Sequence, residues 1–447
     1  MNFDDLFLKL IKNTKTYNSL YKIPLKLFKN SNPKDLNSKH LISKPIKILI
    51  LTSTCNGFGD VIFSCKLKQY IKDWYGNLVQ VKIATNSVNQ FTSMGEQLQD
   101  LIHLKTKQKD TQCREFNNMK AFNGTEFINN NSLVPEDLNI FDLYFVAPIT
   151  YDFSPNFKEI HSLVNNSNRF NTFFLCEYNY PIHKDILFNV GIGNDRLGIF
   201  LITPEFKLEK ILSLTNPYSI IYIAENDVHL NPCYEGFLEL LTSKYKLPDL
   251  DVVCPPWMKY TITYEGNKIR RKINKHYSKI SFVYKTNEGL KTEVLSDNYE
   301  NKGKLTFRFD IFPVPFKTVL SLYQHSLPHV LLTGDQSITD FISLRYEDSV
   351  PFYQGLPWKQ NFYTNLAKAL PQKFFKSYKT SCGTLEAIKY KPKLTRFVKK
   401  NDFRVNAKPL MDVVISSVGY NSEKYNHIKN TILSSRKLSV VKRKLKL

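Results

Sequence analysis

Two short stretches carry the residue types from which chemistry could be built: Cys55-Asn56-Gly57-Phe58-Gly59-Asp60 and Thr333-Gly334-Asp335-Gln336-Ser337. Each follows an apolar run and leads into a pattern with helical spacing. A strand that turns directly into a helix aims backbone N–H groups, and the positive end of the helix dipole, at whatever lies in front of it. Such a turn suits a phosphate. The glycines permit the sharp turn and let a ligand approach the backbone closely. A carboxylate in the first helical turn, Asp60 or Asp335, can serve as a helix cap or as a general base. Ser337 can likewise cap the helix, while the Gln336 and Ser337 amides can bind a diphosphate. The residue types alone leave these readings open.

Several other chemistries find no support. The chain lacks a Gly-x-x-x-x-Gly-Lys P-loop, a three-glycine dinucleotide fingerprint and a Gly-x-Ser-x-Gly nucleophile elbow. Its nine histidines show no ligand spacing, so no metal site is expected. Asp249-Leu250-Asp251 has the form of a metal-binding D-x-D but reads as solvated carboxylates. The seven cysteines are scattered and form no C-x-x-C pair, which argues against a disulfide framework and for a reducing compartment.

The elements that must position these turns follow from length and periodicity. At 447 residues the chain is too long for one ordinary core, and 42% hydrophobic residues suffice for two. Ile46–Leu51 reads as a strand, the residues from Asp60 to Trp74 as a helix, and Leu78–Ala84 as the next strand, a βαβ unit. Further strands are expected at Leu101–Leu104, Ile140–Val146, Phe173–Cys176, Tyr218–Ala224, Leu250–Val253, Ile280–Tyr284, Leu305–Phe309, His329–Leu332 and Val350–Gln354. Helices are expected over Gln90–Asp100, Phe157–Val164, Tyr234–Tyr245, Phe316–His325, Ser337–Leu344 and Trp358–Leu370. This alternation predicts an α/β protein with two Rossmann-like, doubly wound domains whose two turns face a cleft. The expected division is a leader over 1–44, a first domain over 45–190, a second over 191–380 opening in the glycine-rich loop Gly191–Gly198, and a basic, irregular extension over 381–447. Lys105–Glu136 reads as a long surface insertion.

A net charge of +22, from 62 Lys+Arg against 40 Asp+Glu, favours anionic partners such as a nucleotide, a nucleic acid or an acidic membrane surface. The abundance of Lys, Asn, Ile, Tyr and Phe is also what an AT-rich coding sequence produces. No signal peptide and no apolar run of bilayer length is present, so a soluble, cytoplasmic protein is expected. No nucleic-acid reader motif accompanies the basic runs.

The run Thr54 to Leu67, with its Asn56-Gly57-Phe58-Gly59-Asp60 turn, resembles the first turn of glycosyltransferases of the two-Rossmann-domain (GT-B) type. It looks most like the bacterial arginine rhamnosyltransferases that modify elongation factor P. The likeness to ADP-heptose heptosyltransferases is looser. Thr333-Gly334-Asp335-Gln336-Ser337 resembles the Gly-Glu-Asp-Ser type loop that holds the donor diphosphate in the rhamnosyltransferases, with Gly334 standing where that family has Glu. The resemblance implies Asp60 as general base. It places Asn56, Gly57, Phe58 and Gly59 on the acceptor or sugar side, and Thr333, Gly334, Asp335, Gln336 and Ser337 on the donor diphosphate. It implies an inverting, metal-independent transfer from a nucleotide sugar used as substrate, with no cofactor. The acceptor, whether protein, glycan or lipid, does not carry over. A sugar-nucleotide epimerase or hydrolase of the same fold, and a non-catalytic anion- or nucleic-acid-binding protein, are the alternatives.

Overall fold

The computed structural model describes residues 44–52, 54, 58–85, 87–103, 140–149, 171–180, 188–193, 196–202, 207–224, 233–264, 271, 273–298, 303–345, 350–356, 359–369, 375–380, 383–388, 400–416 and 418. The leader, the helix expected over Phe157–Val164, the insertion after Leu104 and residues 419–447 lie outside them. Contacts divide the chain into two units, one running to Phe200 and resuming at Lys400, the other spanning Leu201–Lys399.

The first unit is built on a parallel sheet of β1 (Ile46–Thr52), β2 (Val79–Thr85), β3 (Leu101–His103), β4 (Leu143–Ile149) and β5 (Thr172–Cys176), in the order β3-β2-β1-β4-β5. Ile48, Leu49 and Ile50 of β1 are fully buried, as are Leu143, Tyr144 and Phe145 of β4. Continuous burial without alternation is the mark of strands covered on both faces. The crossover helix α1 (Gly59–Tyr75) buries Val61, Ser64, Leu67, Lys68 and Ile71 at helical spacing and stops at Gly76, whose φ is +53°. The short α2 (Val88–Ser93) follows β2, where a longer helix was expected. Lys68 is buried because it reaches Asp100, with Nζ 2.7 Å from Oδ2, and also donates to Glu96.

The second unit holds β6 (Tyr218–Tyr222), α3 (Tyr234–Lys244), β7 (Asp249–Val253), α4 (Met258–Tyr264), β8 (Lys279–Thr286), β9 (Gly289–Asp297), β10 (Lys304–Arg308), α5 (Phe316–His325), β11 (His329–Leu332), α6 (Asp335–Arg345), β12 (Val350–Gln354), α7 (Gln360–Ala369), β13 (Phe375–Thr380) and β14 (Gly383–Ile388). Its sheet runs β13-β14-β12-β11-β6-β7-β10-β8-β9. The six strands from β12 to β8 are parallel, while β9 and the β13–β14 hairpin pair antiparallel at the two ends. Both units thus have the α/β architecture expected, with a strand order that reverses direction inside each sheet. In the second, β10 lies between β7 and β8, a departure from the usual dinucleotide-binding order.

Two expectations are corrected. The chain after Cys382 is not irregular throughout, since it forms β14 and then α8 (Phe403–Ser416), an apolar-faced helix that tolerates Pro409. Phe403 packs 4.5 Å from the Phe200 ring and 6.3 Å from Tyr70 of α1, and Tyr75 donates to Asp412 at 2.8 Å. The glycines read as an interdomain loop belong to the first unit, where Gly191 and Gly198 exchange backbone bonds of 2.7 and 3.0 Å. Gly198 has φ +104°, and a Cβ there would overlap the Asn401 carbonyl, so only glycine fits beside the returning chain.

Candidate functional site

In the first sheet the strand order reverses at β1, with β2 on one side and β4 on the other. Ligands of open α/β sheets bind beyond the carboxyl ends of strands at this point, and the turn into α1 starts there. Asn56 and Gly57 lie outside the described residues. Phe58 occupies the N-cap position of α1 and offers no side-chain cap. Gly59 and Asp60 are the first helical residues, Gly59 exposed and Asp60 partly so. A Cβ built on Gly59 would meet no protein atom within 4 Å, so this glycine faces open space and is not required by packing.

The position of Asp60 is fixed one turn further along. Ser64 lies on the same helical face, four residues on. Its hydroxyl is 2.7 Å from Thr52 Oγ1 at the end of β1, and the Ala147 carbonyl of β4 lies 3.1 Å from Ser64 Oγ and 2.8 Å from Thr52 Oγ1. All three are buried. The clasp ties α1 to the two strands flanking the reversal and so sets Asp60 above their carboxyl ends.

In the second sheet the order reverses between β6 and β11. The Thr333 amide donates to Tyr222 O at 2.8 Å, which carries the end of β11 along β6. Gly334 then adopts φ +82°, a conformation L side chains rarely take, and α6 starts at Asp335. Helix formation therefore begins two residues before the apolar pattern that starts at Ser337. The amides of Asp335, Gln336 and Ser337 occupy the first helical turn, above the carbonyl ladder.

The side chains of this loop are engaged differently from one another. Asp335 is 5% exposed, and its Oδ1 accepts from Tyr353 Oη at 3.1 Å while Oδ2 pairs with Lys359 Nζ at 3.2 Å. Any contact of Asp335 with a phosphate therefore falls to its backbone amide. Ser337 lies near the buried Tyr323, whose phenol burial pushes well above its usual range. Thr333 is 9% exposed, and its hydroxyl is buried without a hydrogen-bond partner. An orphaned buried hydroxyl is uncommon and asks for a ligand or a water.

Lys359 and Tyr353 escaped the sequence reading because they lie 24 and 18 residues from Asp335 and reach it only through the β11–β12 pairing. The D-x-D reading is also corrected. Asp249 is solvated at the start of β7, but Asp251 is 2% exposed, and its carboxylate accepts from Asn216 at 3.2 Å and Arg308 at 3.3 Å. Arg308 also forks onto Asp310, with Nε–Oδ1 2.8 Å and Nη2–Oδ2 2.7 Å. Burial pushes the Asp251 carboxyl up against the pull of Asn216 and Arg308. These groups form a packed ion network in which every acidic oxygen has a donor. Among the described residues no group of three or more His, Cys, Asp or Glu could hold a metal ion, and no helix is long and apolar enough to cross a membrane.

No protein-family model and no curated protein matches the chain. Among solved structures the chain is similar to the crystal structure of a glycosyltransferase from Rickettsia africae ESF-5, at 13% sequence identity and a TM-score of 0.39, over 91% of this chain and 100% of that one.

Proposed function

We propose that the protein is a glycosyltransferase that moves a sugar from a nucleotide-sugar donor to an acceptor, with inversion and without a metal ion. One observation carries the reading. In each unit a helix with an aspartate in its first turn, Asp60 after Gly59 in one and Asp335 after Gly334 in the other, follows the strand at which the sheet order reverses. The resemblance of both turns, in this order along the chain, to those of the GT-B enzymes supports the same assignment.

In this mechanism the second unit holds the donor. The amides at the start of α6 and the Thr333 hydroxyl bind the diphosphate and stabilise its charge as it leaves. The first unit presents the acceptor, with Asn56, Gly57, Phe58 and Gly59 in the role that the resemblance implies. Asp60 takes the proton from the acceptor nucleophile as the new bond to the anomeric carbon forms, and the bond from that carbon to the diphosphate oxygen breaks on the opposite side. A base on one face and a stabilised leaving group on the other suit in-line displacement with inversion.

The test is Asp60→Asn. Removing the base should lower transfer by roughly 10²–10⁴-fold while donor affinity stays at the wild-type value. Transfer at the normal rate would remove Asp60 from the mechanism. Product analysis with water as the sole acceptor separates transfer from hydrolysis or epimerisation. Tight, strongly salt-dependent binding to DNA or RNA with no response to any nucleotide sugar would favour an anion-binding protein instead.

A further inference from the structure

We propose that Lys359 is the counter-charge that makes the start of α6 accept an anion, and that it sets donor affinity by neutralising Asp335. The inference rests on the donor reading above and adds a residue to it. A helix N-terminus carries about half a positive charge. A carboxylate buried in the same turn offsets that charge and repels a diphosphate, and Asp335 is such a carboxylate at 5% exposure. Left alone, it would turn an anion site into an anion-excluding one.

The neighbouring strand resolves the conflict. β12 lies parallel to β11 with Tyr353 in register with Leu332, so Tyr353 stands beside the turn and donates to Oδ1. After β12, Gly355 sits where a Cβ would meet the Tyr363 ring at 3.3 Å, and Lys359 lies with its Nζ 3.2 Å from Oδ2. Both carboxylate oxygens thus have a donor, one neutral and one cationic. The two partners of the ion pair differ in access, the Lys359 side chain being 17% exposed and that of Asp335 5%. A second observation marks the place as a ligand site: the Thr333 hydroxyl, one residue before Gly334, is buried with no partner.

The experiment is a double-mutant cycle of Lys359→Gln and Asp335→Asn on the full chain, with Lys359→Arg as a charge-retaining control. Affinity for inorganic pyrophosphate and for UDP, dTDP, GDP and ADP is measured by calorimetry, with a melting temperature for each variant. Lys359→Gln should weaken the diphosphates that bind the wild type by roughly 10–100-fold, the range expected of one uncompensated carboxylate near the ligand. Asp335→Asn should bind more tightly than wild type, because the lysine charge is then no longer offset, and the double variant should return to within about threefold of wild type, because the two lost charges cancel. Lys359→Arg should retain affinity. Unchanged affinity in Lys359→Gln overturns the proposal, and so does a double variant as weak as Lys359→Gln, which would make the lysine a simple phosphate contact. A merely structural pair would couple in melting temperature but not in affinity, and that outcome also refutes it. A wild type that binds none of the five compounds removes the donor reading, and the proposal falls with it.

Discussion

Thr333→Val is the substitution on which structure and function should move in opposite directions. Valine is nearly isosteric with threonine and replaces the buried, unpartnered hydroxyl with a methyl group. A buried hydroxyl without a hydrogen bond costs about 1–3 kcal/mol. Removing it should therefore stabilise the ligand-free protein by that amount, with no cavity to offset the gain. In a unit the size of Leu201–Lys399 this corresponds to a rise in melting temperature of roughly 2–8 °C. If the same hydroxyl donates to the donor diphosphate, the variant loses one hydrogen bond to a charged acceptor, about 1.5–3 kcal/mol, or roughly 10–150-fold in affinity. Differential scanning fluorimetry without ligand and calorimetry with nucleoside diphosphates supply the two numbers. A valine variant that melts at or below the wild-type temperature and binds as tightly as wild type would refute the reasoning at both steps.

Two further outcomes are expected. Gly59→Ala should leave the melting temperature within about 2 °C, since its Cβ has no neighbour within 4 Å, yet under the proposed mechanism it should raise the acceptor KM; unchanged kinetics would move the acceptor elsewhere. Asp100→Asn tests the Lys68 cluster through pH. Burial alone would raise the Asp100 carboxyl, but Lys68 and Lys72 draw it below its usual range. A depressed carboxylate adds stability above its unfolded pKa, near 3.9, and loses it as pH falls through the lower folded value. The gap in melting temperature between wild type and Asp100→Asn, worth ~1 kcal/mol at neutral pH, should therefore narrow as pH falls below the unfolded value and close once it has passed through the lower folded one. A gap that persisted there would show that charge plays no part.

The strands that frame both turns were readable because they are buried on both faces and so appear as unbroken apolar runs, His329–Leu332 and Val350–Gln354 among them. Gly334 was legible as a turn for the same reason that it is needed there, its positive φ. What stayed hidden falls into two kinds. β9 has the polar sequence Gly-Leu-Lys-Thr-Glu-Val-Leu-Ser-Asp and lies mostly exposed at a sheet edge, so burial left little mark on its composition. α8 was masked by Pro409, which argues against a helix in isolation and is tolerated here because the helix packs against α1. The pairings Asp251–Arg308 and Asp335–Lys359 depend on strand order, which no local pattern encodes. Asp251 and Asp335 could be named as carboxylates, but their partners could not be found without the sheet.

The return of α8 to the first unit fixes an order of events during synthesis. Phe403 and Asp412 complete the outer side of α1, the helix that starts at the Asp60 turn, yet they follow Phe200 only after the whole of Leu201–Lys399 has been made. At ~5–20 residues per second, the ribosome leaves that surface uncovered for roughly 10–40 s. The intervening unit can mature first, and the half carrying the proposed base closes last. A chain cut at residue 200 would expose Tyr70, Trp74 and Phe200 to water, so an independent first unit requires residues 400–416 to be fused back or supplied as a separate fragment.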